Sequence, residues 1–121
     1  MANSDQIKFR NEMKIRLRTF VLKLLKVTEK IPYSQESKII KNQLIRSGSS
    51  VYANYRAACR ARSKNEFFSK LGIVVEEADE TKMWLDLLIL SAISNGDETK
   101  TLHNESLEIL RIKATARKNS N

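Results

Sequence analysis

ANYRAACRARSKNEFFSK, residues 53–70, sets Arg56, Arg60, Arg62 and Lys64 within nine positions and leads into an acidic stretch. Inside it, SKNE (Ser63 to Glu66) has the S-x-x-E form of a capping box. The hydroxyl and carboxylate of such a box satisfy two backbone amides that lack partners in a helix's first turn. One helix therefore closes near Ala61 and another opens at Ser63. The arginines before the junction suit a helix C-terminus, where the dipole presents partial negative charge. Phe67 and Leu71 begin the apolar stripe after it.

The same logic, worked outward, divides the chain into four helices. Upstream, Ile40, Leu44, Ser47, Val51, Tyr55 and Ala58 share one side at 100° per residue, which predicts a helix over residues 35–61 with Ser34 as N-cap. Its middle, RSGSSVYANYRAA, is rich in small residues. Gly48 there costs roughly 1 kcal/mol against alanine, which is tolerable where a neighbouring backbone packs closely. Pro32 separates this helix from a first one over residues 5–30, whose stripe is Phe9, Met13, Leu17, Phe20, Val21, Leu24 and Val27.

Downstream, Leu71, Val74, Val75, Ala78, Leu85, Leu88 and Ala92 carry the third helix over residues 64–94. Asn95-Gly96 closes it, with Gly96 as the left-handed residue after the cap. A fourth helix covers residues 98–117, with Asp97 as candidate N-cap. Its apolar residues form two seams, Leu102, Ile109 and Ile112 on one side and Leu107, Leu110 and Ala114 on the other. Long amphipathic helices with short connections make an all-α, antiparallel up-down-up-down four-helix bundle, a single domain over residues 1–121.

The totals agree. A chain of 121 residues builds one core, and three glycines and one proline leave few turns. A lone cysteine, Cys59, cannot form an internal disulfide, which suits a cytoplasmic location. No secretory signal is expected, and the apolar run from Trp84 to Ile93 is broken by Asp86 and Ser91, too short to span a bilayer.

Catalytic chemistry finds little support. The one histidine, His103, and Cys59 have no second ligand at metal spacing, and no phosphate-binding glycine loop occurs. The cluster Glu76, Glu77, Asp79 and Glu80 lacks the E-x-x-H pattern of di-metal bundles and reads as a solvated helix face. Cys59 reads as a small, half-buried residue rather than a reactive thiol. The expectation is a non-enzyme without metal or cofactor.

Charge is the informative feature. The net formal charge is +8, and it is uneven: residues 31–64 carry seven cations and one acid, whereas residues 65–95 carry two and six. On the second helix Lys38, Arg46, Arg56, Arg60 and Lys64 lie opposite the apolar stripe, and on the first Lys23, Lys26 and Lys30 form a similar outward patch. Two such stripes could follow a phosphate backbone. The same cations could instead complement helix dipoles or pair with the acidic third helix. A second apolar face, Ile15 and Leu22 on the first helix and Ile73, Trp84 and Leu87 on the third, asks for an oligomer contact.

QLIRSGSSVYANYRAACRARSKNEFFSKLGIVVEEADETKMWLDLL, Gln43 to Leu88, resembles the bacterial four-helix-bundle family of proteins encoded in 23S rRNA intervening sequences. The resemblance rests on Arg46 to Ser63, Phe68 to Leu71 and Glu77 to Leu85, with ATARKN, Ala114 to Asn119, similar to the family's C-terminal end. It implies a homo-oligomer, expected to be a pentamer, with no established catalytic activity. It also implies kinship with the accessory variability determinant of diversity-generating retroelements, a basic pentamer that works with a reverse transcriptase and binds nucleic acid. The resulting expectation is a nucleic-acid-binding accessory factor that contacts RNA or DNA backbone with little sequence preference. The alternative is an assembly scaffold with no nucleic-acid role.

Overall fold

The computed structural model describes residues 3–119. Four helices follow one another: α1 (Ser4–Glu29), α2 (Gln35–Cys59), α3 (Lys64–Leu90) and α4 (Asp97–Asn119). Each packs on its neighbour in the chain, and α1 closes the ring against α4, giving the all-α antiparallel bundle that the periodicity predicts. The α2–α3 pair is the most intimate and the α1–α4 pair the loosest.

The caps explain the boundaries. Asn3 opens α1 by accepting from the Gln6 amide, while the Gln6 side chain accepts from the Asn3 amide, both at 2.9 Å. Ser34 caps α2 reciprocally with Ser37. At α3 the Ser63 hydroxyl accepts from the Glu66 amide at 3.1 Å, but the Glu66 carboxylate reaches past the cap to the Arg62 amide. Half of the predicted box is therefore displaced by one residue, and it still satisfies a free amide beside the helix start.

The α3–α4 corner departs from the sequence reading. The helix stops at Leu90, and Ala92, not Gly96, takes the left-handed conformation, at φ 62°. That costs roughly 1–2 kcal/mol for a residue with a Cβ. In return the Ala92 amide donates to the Ile89 carbonyl and the Ser94 amide to the Leu88 carbonyl, which occupies two helix-end acceptors. Gly96 begins the next helix instead: its carbonyl accepts from Lys100, so Asp97 is the first helical residue rather than the cap.

The core is built by Leu17 and Leu24 of α1, Leu44, Val51 and Tyr55 of α2, Leu71, Val74, Leu85 and Leu88 of α3, and Leu102 and Ile109 of α4. Phe9, expected in the α1 stripe, is exposed and lies before the first buried position, Met13. Gly48 lies within continuous helix, and the neighbour that requires it is a side chain: a Cβ there would stand 3.0 Å from Leu24 Cδ2. Beside it the Thr81 hydroxyl donates to the buried Ser47 hydroxyl at 3.0 Å, so small residues let α2 and α3 approach.

Candidate nucleic-acid interface

The eight cations singled out in the sequence do not form one surface. Lys23 and Lys26 sit in the second half of α1, Lys30 is its C-cap, and Lys38 lies near the start of α2, so these four share one end of the bundle. Arg56, Arg60 and Lys64 bracket the α2–α3 corner at the opposite end. At 1.5 Å per residue, Lys38 and Arg56 are separated by roughly 27 Å along α2. Between them only Lys41 and Arg46 are charged.

The α1 cations face an acidic row that the sequence reading overlooked. The Arg16 guanidinium donates to both oxygens of Glu105 on α4, at 2.7 and 2.8 Å, and that hydrogen bonding raises its pKa further. Lys30 Nζ donates to both Glu98 oxygens, at 2.9 and 3.1 Å. Lys23 and Lys26 line an 890 Å³ groove between α1 and α4 together with Asp97, Glu98, Glu105 and Glu108. Such a groove is mixed in sign, and it does not offer phosphate a continuous positive track. The signal was available: Arg16, Lys23, Lys26 and Lys30 recur at spacings of seven, three and four, and Glu98, Glu105 and Glu108 at seven and three.

Arg46 is likewise engaged. It donates to Glu77 at 2.9 Å and to Glu80 on α3, and Glu80 also accepts from Trp84 Nε1 at 3.0 Å. The Trp84 and Arg46 hydrogen bonds hold the Glu80 carboxyl below its ordinary pKa. A residue expected to meet phosphate and one expected at a subunit seam thus belong to a single network within the chain. The Trp84 indole is half-buried against the core rather than standing off it.

Arg56, Arg60 and Lys64 are exposed, and among the described residues none of them forms an ion pair. Arg62, also exposed and unpaired, lies between them. Arg10 of α1 reaches the same corner, its guanidinium 4.7 Å from the Phe67 ring centroid. Arg56 lies 5.7 Å from the Tyr52 ring centroid, which orients the guanidinium without neutralising it. This corner gathers four exposed, unpaired cations within nine residues.

The second apolar faces are present. Ile15 and Leu22 are 54% and 57% exposed on α1, and Ile73 and Leu87 are partly exposed on α3. Met83 and Leu90 extend the α3 face at three- and four-residue spacing. Missed altogether was Lys113, which is 0% exposed. Its ammonium group sits 3.2 Å from the Tyr55 ring centroid and has no hydrogen-bond partner among the described residues. Burial pulls its pKa down to about 7. No described helix is long and apolar enough to cross a membrane.

Among curated proteins no sequence matches this chain. One similar solved structure is a protein with unknown function from the S23 ribosomal protein family of Bacteroides thetaiotaomicron. It is 30% identical, spans 91% of this chain and 98% of its own, and superposes with a TM-score of 0.82. The family model for the 23S rRNA-intervening sequence protein matches residues 11–114. With that match over most of its length, and a bundle of the same architecture, the chain belongs to the 23S rRNA-intervening sequence protein family.

Proposed function

We propose that the protein is a non-catalytic accessory factor that binds the phosphate backbone of RNA through the α2–α3 corner. The observation that carries this reading is the cluster Arg56, Arg60, Arg62 and Lys64, four exposed cations within nine residues and unpaired among the described residues, while Arg16, Lys30 and Arg46 are matched by carboxylates. Unpaired arginines offer forked donors that fit phosphate oxygens. Contacts of this kind position a nucleic acid without reading bases. The family's link to an intervening sequence of 23S rRNA favours RNA as the polyanion.

The reading includes self-assembly, with Ile15 and Leu22 of one subunit and Ile73 and Leu87 of another as the apolar contact. A ring of subunits, a pentamer by the family resemblance, would repeat the basic corner and multiply weak backbone contacts into useful avidity. A reverse transcriptase is the class of enzyme such a factor would assist. The alternative, a scaffold with no nucleic-acid role, draws on the same apolar faces and would leave the corner cations without purpose.

The test compares two triple variants for binding to a fluorescent RNA duplex at low salt. Arg56→Ala with Arg60→Ala and Lys64→Ala should weaken binding by about tenfold or more, since each lost phosphate contact removes part of the electrostatic attraction. Lys23→Ala with Lys26→Ala and Lys30→Ala should change it far less. Equal losses, or no loss in the first variant with its helicity intact, would refute the assignment to the corner.

A further inference from the structure

Tyr52 and Tyr55 precede the basic corner on α2, and Phe67 and Phe68 follow it on α3. Two of these rings are already taken. Tyr55 is buried beneath Lys113, and Phe67 packs on the core with the Arg10 guanidinium 4.7 Å from its centroid. Tyr52 and Phe68 remain partly exposed. Each stands one helical turn from a corner cation, Tyr52 from Arg56 and Phe68 from Lys64. Arg56 lies 5.7 Å from the Tyr52 centroid, farther than Arg10 from Phe67, and as an exposed side chain it can turn toward a phosphate. Phe68 meets Phe67 at a 59° tilt with centroids 6.0 Å apart, so that contact does not cover the Phe68 ring face to face.

We propose that the corner takes unpaired RNA, with the backbone on its cations and bases stacked on Tyr52 and Phe68. This rests on the RNA-binding reading of the corner and adds to it the class of RNA. A surface that met phosphate alone would have no use for rings beside its cations. Bases in a duplex are held in their own stack, whereas unpaired bases present flat faces to aromatic side chains. Stacking of this kind tolerates any sequence, because every base has a π-face.

The placement of the rings sets the course of the strand. Arg46 meets Glu77 and Glu80 across the outer seam between α2 and α3. At 100° per residue Tyr52 is turned about 120° from Arg46 on α2, and Phe68 is turned opposite Glu77 on α3. Phe68 shares the side of Asp86, which contacts His103 of α4. The two rings therefore stand on opposite flanks of the corner, and Arg56, Arg60, Arg62 and Lys64 follow one another between them. A strand laid across the corner meets a ring, the cations and a ring in turn.

The experiment measures fluorescence anisotropy at one low salt concentration with a labelled oligouridylate, an abasic strand and a duplex, all of equal length. Wild-type protein should bind the oligouridylate about tenfold more tightly than the abasic strand, which keeps the phosphates and lacks the bases. Equal affinity for these two strands overturns the proposal without any variant. Tyr52→Leu with Phe68→Leu keeps apolar bulk where the rings stood. It should lower oligouridylate affinity by about tenfold and duplex affinity far less. Equal losses on both, or no loss on the oligouridylate, also overturn the proposal. Its failure is distinct from that of the corner reading. If Arg56→Ala with Arg60→Ala and Lys64→Ala loses duplex affinity while the oligouridylate and the abasic strand bind alike, the corner stands and the rings are structural. If the wild type binds neither strand nor duplex, both readings fall.

Discussion

Lys113 occupies the interior end of a row that the helical period assigns to the core. Thr99, Leu102, Ser106, Ile109 and Lys113 recur at three- and four-residue spacing, and all five are buried. The row is therefore present in the sequence, but a lysine is so often exposed that periodicity alone does not place Lys113 inside. Its titration has a definite sign. The folded pKa, about 7, lies below the unfolded value of 10.5, so between these limits the unfolded chain binds more protons. This contribution to stability rises with pH from about 7 to about 10.5, and its destabilising effect is full at and below pH 7. Lys113→Met should accordingly be the more stable protein at pH 7, by a few kcal/mol on the order-of-magnitude scale of such shifts. That advantage should shrink toward pH 10 in urea melts. Gly48 makes a second residue-level case. Alanine there gains ~1 kcal/mol of helix propensity but meets enclosed Leu24 at 3.0 Å, and overpacking costs roughly 1–3 kcal/mol. Gly48→Ala should therefore lower the urea midpoint, and Gly48→Val should lower it further.

At the scale of the elements, helix existence and order were legible because capping chemistry and apolar period act locally. Ser34 and Ser63 cap as their neighbours imply, and Pro32 lies in the connection between α1 and α2. The α3–α4 corner was not legible. Two residues compete for the left-handed position, and the winner, Ala92, is chosen by which helix-end carbonyls can be reached, a matter of packing rather than of propensity. Charge showed the same limit. A lysine row on one helix looks free until the partner helix is known, and α4 supplies the carboxylates opposite Arg16 and Lys30. That seam is testable apart from function. Glu105→Lys sets a cation against Arg16 and should destabilise the bundle by on the order of 1 kcal/mol, with part recovered at high salt as screening shortens the repulsion. Midpoints measured at low and high salt would reveal it, and an effect indifferent to salt would mean lost packing rather than lost charge.

For the whole molecule, the distribution of spent and unspent surface matters more than the net charge of +8. Carboxylates on α3 and α4 answer Arg46, Arg16 and Lys30, whereas the α2–α3 corner gathers four exposed cations without an ion pair among the described residues, and the outer faces of α1 and α3 expose apolar side chains. Self-assembly through those faces predicts that Leu22→Glu, at a position more than half exposed, leaves helicity unchanged while light scattering records a smaller particle. The same mass as wild type would move the contact elsewhere. The central claim concerns the corner, and the salt dependence of RNA affinity tests it most directly. With about four phosphates engaged per subunit, the logarithm of the binding constant should fall against the logarithm of salt concentration with a slope of roughly −4 per subunit. Arg56→Ala, Arg60→Ala and Lys64→Ala together should bring that slope close to −1. A wild-type affinity that stays flat as salt rises would contradict the account.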